Sequence, residues 1–273
     1  MLPNFLVIGA MKAGTTSLHR YLREHPQVFM PEEKEPHFFV AEKSWSRGQA
    51  WYEAQFAGAG DAPAVGEASP TYAMYPEFEG VADRIADLLP HARLVYTVRD
   101  PIERIRSHYL HEVAQGRERA PIGRAVASDP RYLDTSRYAM QLDRYLLRFP
   151  PERILVITAE QLRHDRPETI RRVFAFLGVD PDWLPPTLDQ EFHRTADGPT
   201  RRPLADVALR APAGRILQRL APGPLRRLAR RRRDGRRALL PEALADRLRL
   251  ELRDDVLRLR RHLGDEFDGW RIS

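Results

Sequence analysis

Two stretches of the sequence combine glycine, cationic and hydroxyl residues in a pattern suited to holding a phosphate-like anion. The first, Gly9 to Ser17, follows the apolar run 5–8 and leads into a helical pattern. A strand that turns into a helix through glycines presents unpaired backbone N–H groups and the positive end of the helix dipole. Lys12 can add a full charge, and Thr15 and Thr16 can add hydroxyl donors. The pattern favours a bound anion, although the glycines alone would also suit a simple tight turn.

The lysine of this loop is not where ATP- and GTP-binding loops have theirs. Those loops read G-x-x-x-x-G-K-[ST], with the lysine directly after the second glycine. Here Lys12 lies two residues before Gly14, and Thr15 stands in the usual position of the lysine. The sequence therefore predicts a cation that reaches a nucleotide from the other side of the loop.

The second stretch begins where the apolar run 93–98 ends in Arg99 and Asp100. Pro101 suits the first turn of a helix, and Asp100 suits its N-cap. Arg99 at the strand end and Ser107 two turns along the helix can converge on one phosphate. A Walker-type triphosphatase would instead need a carboxylate at this strand end to organise Mg²⁺. Asp100 is the only acid at this strand end, and its position before Pro101 favours the N-cap role.

Strands and helices must alternate to bring these two stretches together. Continuous apolar runs predict buried strands, and segments of helical spacing predict helices between them. The predicted strands are 5–8, 93–98 and 153–158, and the predicted helices are 17–24, 81–89, 102–114, 136–149 and 167–177. Residues 42–60 are predicted to be helical and irregular, and residues 65–72 to be the end of a strand that passes into a loop. The alternation predicts an α/β fold: a P-loop-like central parallel sheet flanked by helices, with ligands at the carboxyl ends of the strands.

The whole chain, 1–273, is predicted to be a single domain, since its length suits one large α/β domain. Its core is expected at about 4–200, followed by a helical C-terminal region at about 204–273. Leucines at helical spacing within 244–263 predict a terminal helix packed on that core.

Taken together, the two motifs resemble those of the sulfotransferases that depend on 3′-phosphoadenosine 5′-phosphosulfate (PAPS), especially the branch of the heparan sulfate N- and O-sulfotransferases and their bacterial relatives. The segments that carry the resemblance are GAMKAGTTSL (9–18), KEPHFF (34–39), GEASP (66–70), RDPIERIRSHY (99–109) and FAFLGV (174–179). The resemblance implies an enzyme that transfers a sulfuryl group from PAPS to a hydroxyl or amine by in-line displacement. It implies a small-molecule, lipid or carbohydrate acceptor, 3′-phosphoadenosine 5′-phosphate (PAP) as the product, and no metal.

The resemblance also implies roles for individual residues. Lys12 is expected to contact the 5′-phosphate and the bridging oxygen, while Arg99 and Ser107 are expected to hold the 3′-phosphate. Glu35, which precedes the aromatic pair, is the implied base. The rest of the donor loop is Ala13, Gly14, Thr15, Thr16 and Ser17, and Arg201 and Arg202 are further candidates beside the 3′-phosphate.

The reaction needs a residue that accepts the proton of the acceptor, and two residues are candidates for this base. Glu35 can accept a proton only if burial or a negative neighbour raises its pKa, or if the transfer is late in the reaction. His37 is the alternative, and we expect its pKa to lie nearer neutrality. His37, Glu67 and Ser69 are predicted on the acceptor side, with no chemical step assigned to Glu67 or Ser69.

Composition narrows the functional classes. Cysteine is absent, which excludes disulfides, thiolate metal sites and a cysteine nucleophile. The only lysines are Lys12, Lys34 and Lys43 in a chain rich in arginine, alanine and proline, which indicates a GC-rich bacterial coding bias. The net charge of +6 favours anionic ligands. With neither a basic leader nor a long apolar run at the N-terminus, we expect a cytoplasmic protein without a transmembrane segment.

Two other functions fit part of the sequence. A P-loop kinase or nucleotide phosphotransferase would bind ATP or GTP with Mg²⁺, and the lysine position and the missing Walker acid argue against it. A non-catalytic protein could instead use the arginine-rich tract 226–237 to bind nucleic acid or a membrane surface. We interpret this tract as a solvated helix face. No nucleic-acid partner is therefore expected, and peripheral membrane contact stays open.

Overall fold

A five-stranded parallel sheet forms the centre of the computed structural model, which describes residues 1–32, 34–190, 240–264 and 267–272. The strand order is β2-β3-β1-β4-β5, and each neighbouring pair runs parallel. The strands are β1 (Phe5–Gly9), β2 (Val28–Phe29), β3 (Ala64–Ala68), β4 (Arg93–Val98) and β5 (Ile154–Thr158). The predicted α/β fold with a parallel sheet is confirmed.

Helices flank the sheet and connect its strands. They are α1 (Thr15–Glu24), α2 (Gln49–Ala54), α3 (Val81–Leu88), α4 (Pro101–Ala114), α5 (Ile122–Ser128), α6 (Arg131–Asp134), α7 (Tyr138–Leu146), α8 (Gln161–His164), α9 (Arg166–Leu177) and α10 (Glu242–Leu263). Short 3-10 helices occupy Trp45–Arg47, Pro70–Ala73, Pro151–Arg153 and Gly269–Arg271. The sequence did not predict β2, α5, α6 or α8, because none exceeds seven residues and so none shows a clear period.

The strand order places the two anion motifs next to each other. From β1 the chain moves to β2 and β3 on one side of the sheet, then returns to β4 and β5 on the other. The loops after β1 and β4 therefore leave adjacent strands in opposite directions. In open α/β sheets a ligand crevice forms at such a switch point. Lys12 and Arg99 follow the two strands that border it.

Both faces of the sheet are buried, which explains the continuous apolar runs. On β4, Leu94, Tyr96 and Val98 join the apolar cluster on one face, and Val95 joins the cluster on the other. Helix α10 packs on the core through Leu259 and other buried leucines, as its spacing predicted. The single domain of 1–273 stays a prediction, because residues 191–239 lie outside the described part of the chain.

Gly66 on β3 is a position where the packing allows no side chain. A Cβ atom there would lie 2.4 Å from Cζ of Phe5 on the neighbouring strand. We expect Gly66→Ala to destabilise the fold by about 1–3 kcal/mol through overpacking. Gly123→Ala on α5 is the matched control, since the nearest atom to its Cβ would be 3.8 Å away and alanine favours a helix. Urea unfolding of both variants checks this, and equal stabilities would contradict it.

Candidate active site

The loop after β1 presents a helix N-terminus that no side chain caps. Gly14 is the N-cap of α1 with a left-handed φ of 96°, and it has no side-chain oxygen to offer the first N–H groups. Ala13 is buried in the core, so it can offer a ligand only its backbone. Thr15 is buried too, while Thr16 and Ser17 are partly exposed. This end of α1 therefore has the geometry of an anion site.

Lys12 lies in the same loop, partly buried and near the end of β4. Its pKa is lowered, first by burial and then by the positive charge of Arg99, whereas Glu35 acts in the opposite direction. Lys34 lowers the pKa further. Effects of this kind require the four side chains to be near neighbours. Lys12 thus has two cations, Arg99 and Lys34, and the carboxylate of Glu35 in its neighbourhood, and this excess of positive charge favours an anionic ligand.

The chain after β4 is fixed by a capped helix. Oδ1 of Asp100 accepts hydrogen bonds from the backbone N–H groups of Ile102 at 2.8 Å and Glu103 at 3.1 Å. The predicted N-cap role of Asp100 is confirmed. Nη2 of Arg99 lies 3.5 Å from Oε2 of Glu103. Because the cap sets where α4 begins, Ser107 lies two turns into the helix, where it is buried.

Helix α4 faces the lysine of the first loop. The pKa values of His108 and His111 are lowered mainly by burial, and the charge of Lys12 contributes to both. Since His108 adjoins Ser107, the part of α4 that carries Ser107 lies near Lys12. The structure thus brings the predicted donor residues of both motifs to one edge of the sheet. Their roles as donor ligands stay predictions.

Strained backbone marks three of the predicted site residues. Lys12 has a φ of 70°, Glu35 a φ of 70° and His37 a φ of 51°. Among the described residues other than glycine, only Trp270 and Arg271 also have a positive φ. Each such conformation costs on the order of 1–3 kcal/mol and tends to occur at functional sites. The strain therefore singles out the loops that carry the predicted base and the predicted donor lysine.

The carboxylate of Glu35 is ionised at neutral pH. Burial would raise its pKa, but the charge of Lys34 and a hydrogen bond from it outweigh burial and hold the pKa below its ordinary value. Nζ of Lys34 contacts Oε1 of Glu35 directly. Positive charge from Lys43 acts in the same direction. Of the two conditions set out for Glu35 as a base, a raised pKa is not met in this structure, which leaves late proton transfer.

His37 is held in the loop by three neighbours. Its backbone N–H donates to Oγ of Ser69 at 3.1 Å, Nδ1 lies 2.8 Å from Oγ1 of Thr71, and Nε2 lies 3.7 Å from Oε2 of Glu35. Burial, followed by the charge of Lys43, lowers the pKa of His37 to about 4. This value lies well below neutrality, because the fold buries the ring and brings lysine charge close to it. His37 is neutral at pH 7.

The other two residues predicted on the acceptor side are buried beneath this loop. Glu67 is 1% exposed and Ser69 is 0% exposed. The carboxylate of Glu67 accepts hydrogen bonds from the hydroxyls of Tyr72 at 2.6 Å, Ser69 at 2.9 Å and Tyr52 at 3.3 Å. Ser69 in turn accepts the backbone N–H of His37. This arrangement favours support of the loop from inside over direct contact with an acceptor.

Four residues that shape the site were not predicted. They are Lys34, which pairs with the predicted base; Tyr52 and Tyr72, which bind the buried carboxylate; and Tyr138, whose hydroxyl donates to the carbonyl just beyond β4 at 2.7 Å. Lys34 carried a signal, because lysine is rare in this chain. The tyrosines carried none, since aromatic spacing predicts packing and says nothing about the partner of a hydroxyl.

The structure does not test the predictions for the arginines of the C-terminal region, because residues 191–239 lie outside its described part. These arginines are Arg201, Arg202 and those of the tract 226–237. In the part of the chain that the structure describes, no three His, Asp or Glu side chains are arranged to hold a metal ion. Within the same residues, no helix combines the length and apolar character needed to cross a membrane.

The fold and the site define a class of protein: an α/β protein with a P-loop-like anion site whose lysine precedes the second glycine. A family model described as the sulfotransferase family matches residues 3–183, which is more than half of the chain. The protein belongs to the sulfotransferase family. The resemblance noted from the two motifs is therefore confirmed.

Two human sulfotransferases are similar in sequence to this chain. Bifunctional heparan sulfate N-deacetylase/N-sulfotransferase 3 is 32% identical over 206 residues, which cover 67% of this chain and 23% of the relative. Heparan sulfate glucosamine 3-O-sulfotransferase 3B1 is 31% identical over 188 residues, which cover 65% of this chain and 46% of the relative. This chain spans less than half the length of either relative.

Solved structures agree with the family. A sulfotransferase from Alicyclobacillus acidocaldarius is similar with a TM-score of 0.73 and 28% identity, and the match covers 99% of both chains. The sulfotransferase domain from the curacin biosynthetic pathway has a TM-score of 0.50 and 17% identity, and it covers 71% of this chain and 79% of its own. The latter likeness concerns the fold alone.

The buried Glu67 should make stability depend on pH. Burial raises its pKa from 4.5 to about 7 despite the three hydroxyls and the charge of Lys34. The unfolded chain therefore loses this proton first as the pH rises, so the folded state loses stability between about pH 4.5 and 7. From pH 5 to pH 8, the wild type should lose about 2 kcal/mol more than Glu67→Gln, which cannot ionise. Urea unfolding at both pH values measures this, and parallel losses would refute it.

Proposed function

We propose that this protein is a PAPS-dependent sulfotransferase that places the sulfuryl group on a hydroxyl or amine of an acceptor. The observation that carries the proposal is that Lys12 and Arg99 follow the adjacent strands β1 and β4 and that both Arg99 and Glu35 lie near enough to Lys12 to shift its pKa. Membership of the sulfotransferase family supports it.

The residues of this edge fit a donor with an anionic group at each end. One end would meet Lys12 and the uncapped start of α1, and the other would meet Arg99 and the part of α4 that carries Ser107. Excess positive charge near Lys12 is costly when partly buried, and a bound anion offsets that cost. When bound, PAPS supplies a sulfuryl group whose bond to the 5′-phosphate oxygen breaks as the acceptor oxygen or nitrogen attacks the sulfur.

Lys12 has two tasks in this chemistry. It holds the 5′-phosphate, and its ammonium stabilises the negative charge that develops on the departing oxygen. A preorganised donor of this kind is worth about 3–4 kcal/mol of transition-state stabilisation. Lys12 has its strained backbone conformation before a ligand arrives, so we expect the loop to need little rearrangement when the donor binds.

Glu35 is the proposed base. Its carboxylate is already ionised, so it is ready to accept a proton, but its lowered pKa makes it weakly basic. The acceptor becomes a stronger acid as its bond to sulfur forms, so transfer to Glu35 is favoured late in the reaction. A negatively charged donor beside Lys12 and Lys34 would also reduce the positive field at Glu35 and raise its pKa.

The acceptor class is proposed from the relatives. The names of the two human proteins describe an N-sulfotransferase and a 3-O-sulfotransferase of heparan sulfate. The group that receives the sulfuryl group is thus a nitrogen in the first name and an oxygen in the second. They support a carbohydrate acceptor for this chain, with a small molecule or a lipid as the other classes.

Nucleotide binding separates the proposed function from its rivals. Isothermal titration calorimetry with PAP should show binding that needs no Mg²⁺, because Lys12 and Arg99 supply the positive charge. ATP should bind at least about 10-fold more weakly, since it lacks a 3′-phosphate for Arg99. A preference for ATP with Mg²⁺ would favour a kinase, and no binding of either nucleotide would favour a non-catalytic protein.

Glu35→Gln tests the proposed base. The variant keeps the size of the side chain but cannot take a proton, so turnover should fall by at least about 100-fold. PAP affinity should not fall, because Glu35 is not a donor ligand and its replacement removes a negative charge near Lys12. PAP release from PAPS in the presence of a glucosamine-containing oligosaccharide measures turnover. Glu32→Gln is the control, an exposed carboxylate three residues earlier in the same loop. Retention of most of the wild-type rate by Glu35→Gln would remove Glu35 from the mechanism.

A further inference from the structure

Helix α10 lies beyond the family match at 3–183, yet it reaches into the core through one buried carboxylate. Asp255 is 8% exposed, and it accepts the backbone N–H groups of Ala139 at 2.9 Å and Met140 at 2.8 Å. These are N–H groups of the first turn of α7, whose own N-cap, Arg137, provides no side-chain cap. Asp255 therefore caps α7 from a distant part of the chain.

The first residue of α7 connects this cap to the candidate donor site. Tyr138 is fully buried, and its hydroxyl donates to the carbonyl oxygen of Arg99 at 2.7 Å. Its ring contacts Tyr96 of β4 and Trp270 near the C-terminus, with centroids 6.1 and 5.9 Å apart. With ring and hydroxyl both held, Tyr138 has little freedom to move.

At Arg99, a side chain replaces the backbone of the neighbouring segments as the hydrogen-bond donor to the carbonyl of the chain leaving β4. Ala10 N–H donates to the carbonyl of Thr97 at 2.6 Å, and Ala159 N–H donates to that of Val98 at 2.7 Å. One residue later, the hydrogen bond to the Arg99 carbonyl comes from Tyr138. The direction in which the Arg99 side chain leaves the strand therefore depends on this hydroxyl as well as on the sheet.

We infer that Tyr138, held by Asp255 of α10, is a positioning residue that sets Arg99 for the 3′-phosphate of the donor. The inference rests on the proposed function, in which Arg99 binds that phosphate. It makes helix α10 an indirect support of the donor site, although that helix lies outside the family-matched segment.

Tyr138→Phe tests the inference, because it removes only the hydroxyl. Calorimetry with PAP and with AMP isolates the contribution of the 3′-phosphate, since AMP lacks that group. We expect PAP to bind about 5- to 10-fold more weakly, the loss associated with one hydrogen bond, with little change for AMP. The ratio of PAP affinity to AMP affinity should therefore fall. Asp255→Asn, which leaves one carbonyl oxygen to cap α7, should lower the ratio in the same direction.

Tyr145→Phe is the matched control. Tyr145 lies on the same helix, is equally buried, and donates to the carbonyl of Tyr72 at 2.7 Å. It should lose stability comparable to that lost by Tyr138→Phe, as judged by urea unfolding, while keeping the wild-type ratio. An unchanged ratio in Tyr138→Phe, or an equal fall in both variants, would overturn the inference. A wild-type protein without preference for PAP over AMP would overturn the proposed function, and this inference with it.

Discussion

The parallel pairing of β1 with β4 is the constraint on which the rest of the site depends. Phe5 pairs with Arg93 and Val7 with Val95, so both strands end at the same edge of the sheet. Their loops carry Lys12 and Arg99, and the pKa of Lys12 is lowered first by burial and then by the like charge of Arg99. A fold that holds two cations this close is unfavourable unless an anion joins them, and it therefore builds affinity for an anion into the topology of the sheet.

The loop that carries the predicted base depends on a second layer of structure. Aromatic rings form its floor, with Phe38 stacked on Tyr52 at a centroid distance of 4.2 Å. Glu67 lies beneath the loop and accepts hydrogen bonds from three hydroxyl groups, and Ser69 links it to the backbone N–H of His37. A buried carboxylate is costly, and the hydrogen bonds that satisfy it also fix the loop in its strained conformation. The same arrangement thus links the buried Glu67 to His37, one of the loop residues with a positive φ.

Much of the fold followed from local pattern. The three predicted strands lie within a residue or so of their observed bounds, and Asp100 caps the start of a helix as expected. These features depend on residues a few positions apart, so a single stretch of sequence contains their cause. The short elements were missed because their existence depends on what they pack against.

The sequence by itself determined which residues are available for the candidate site: two loops suited to an anion, a lysine displaced from its position in ATP- and GTP-binding loops, and a glutamate before an aromatic pair. Only the tertiary structure decided the state of these groups. It made His37 neutral, placed Glu67 in the core and tied Arg99 to Tyr138. The physical reason is that pKa values and hydrogen-bond partners depend on burial and on charges brought close by the fold, often from residues far away in the chain.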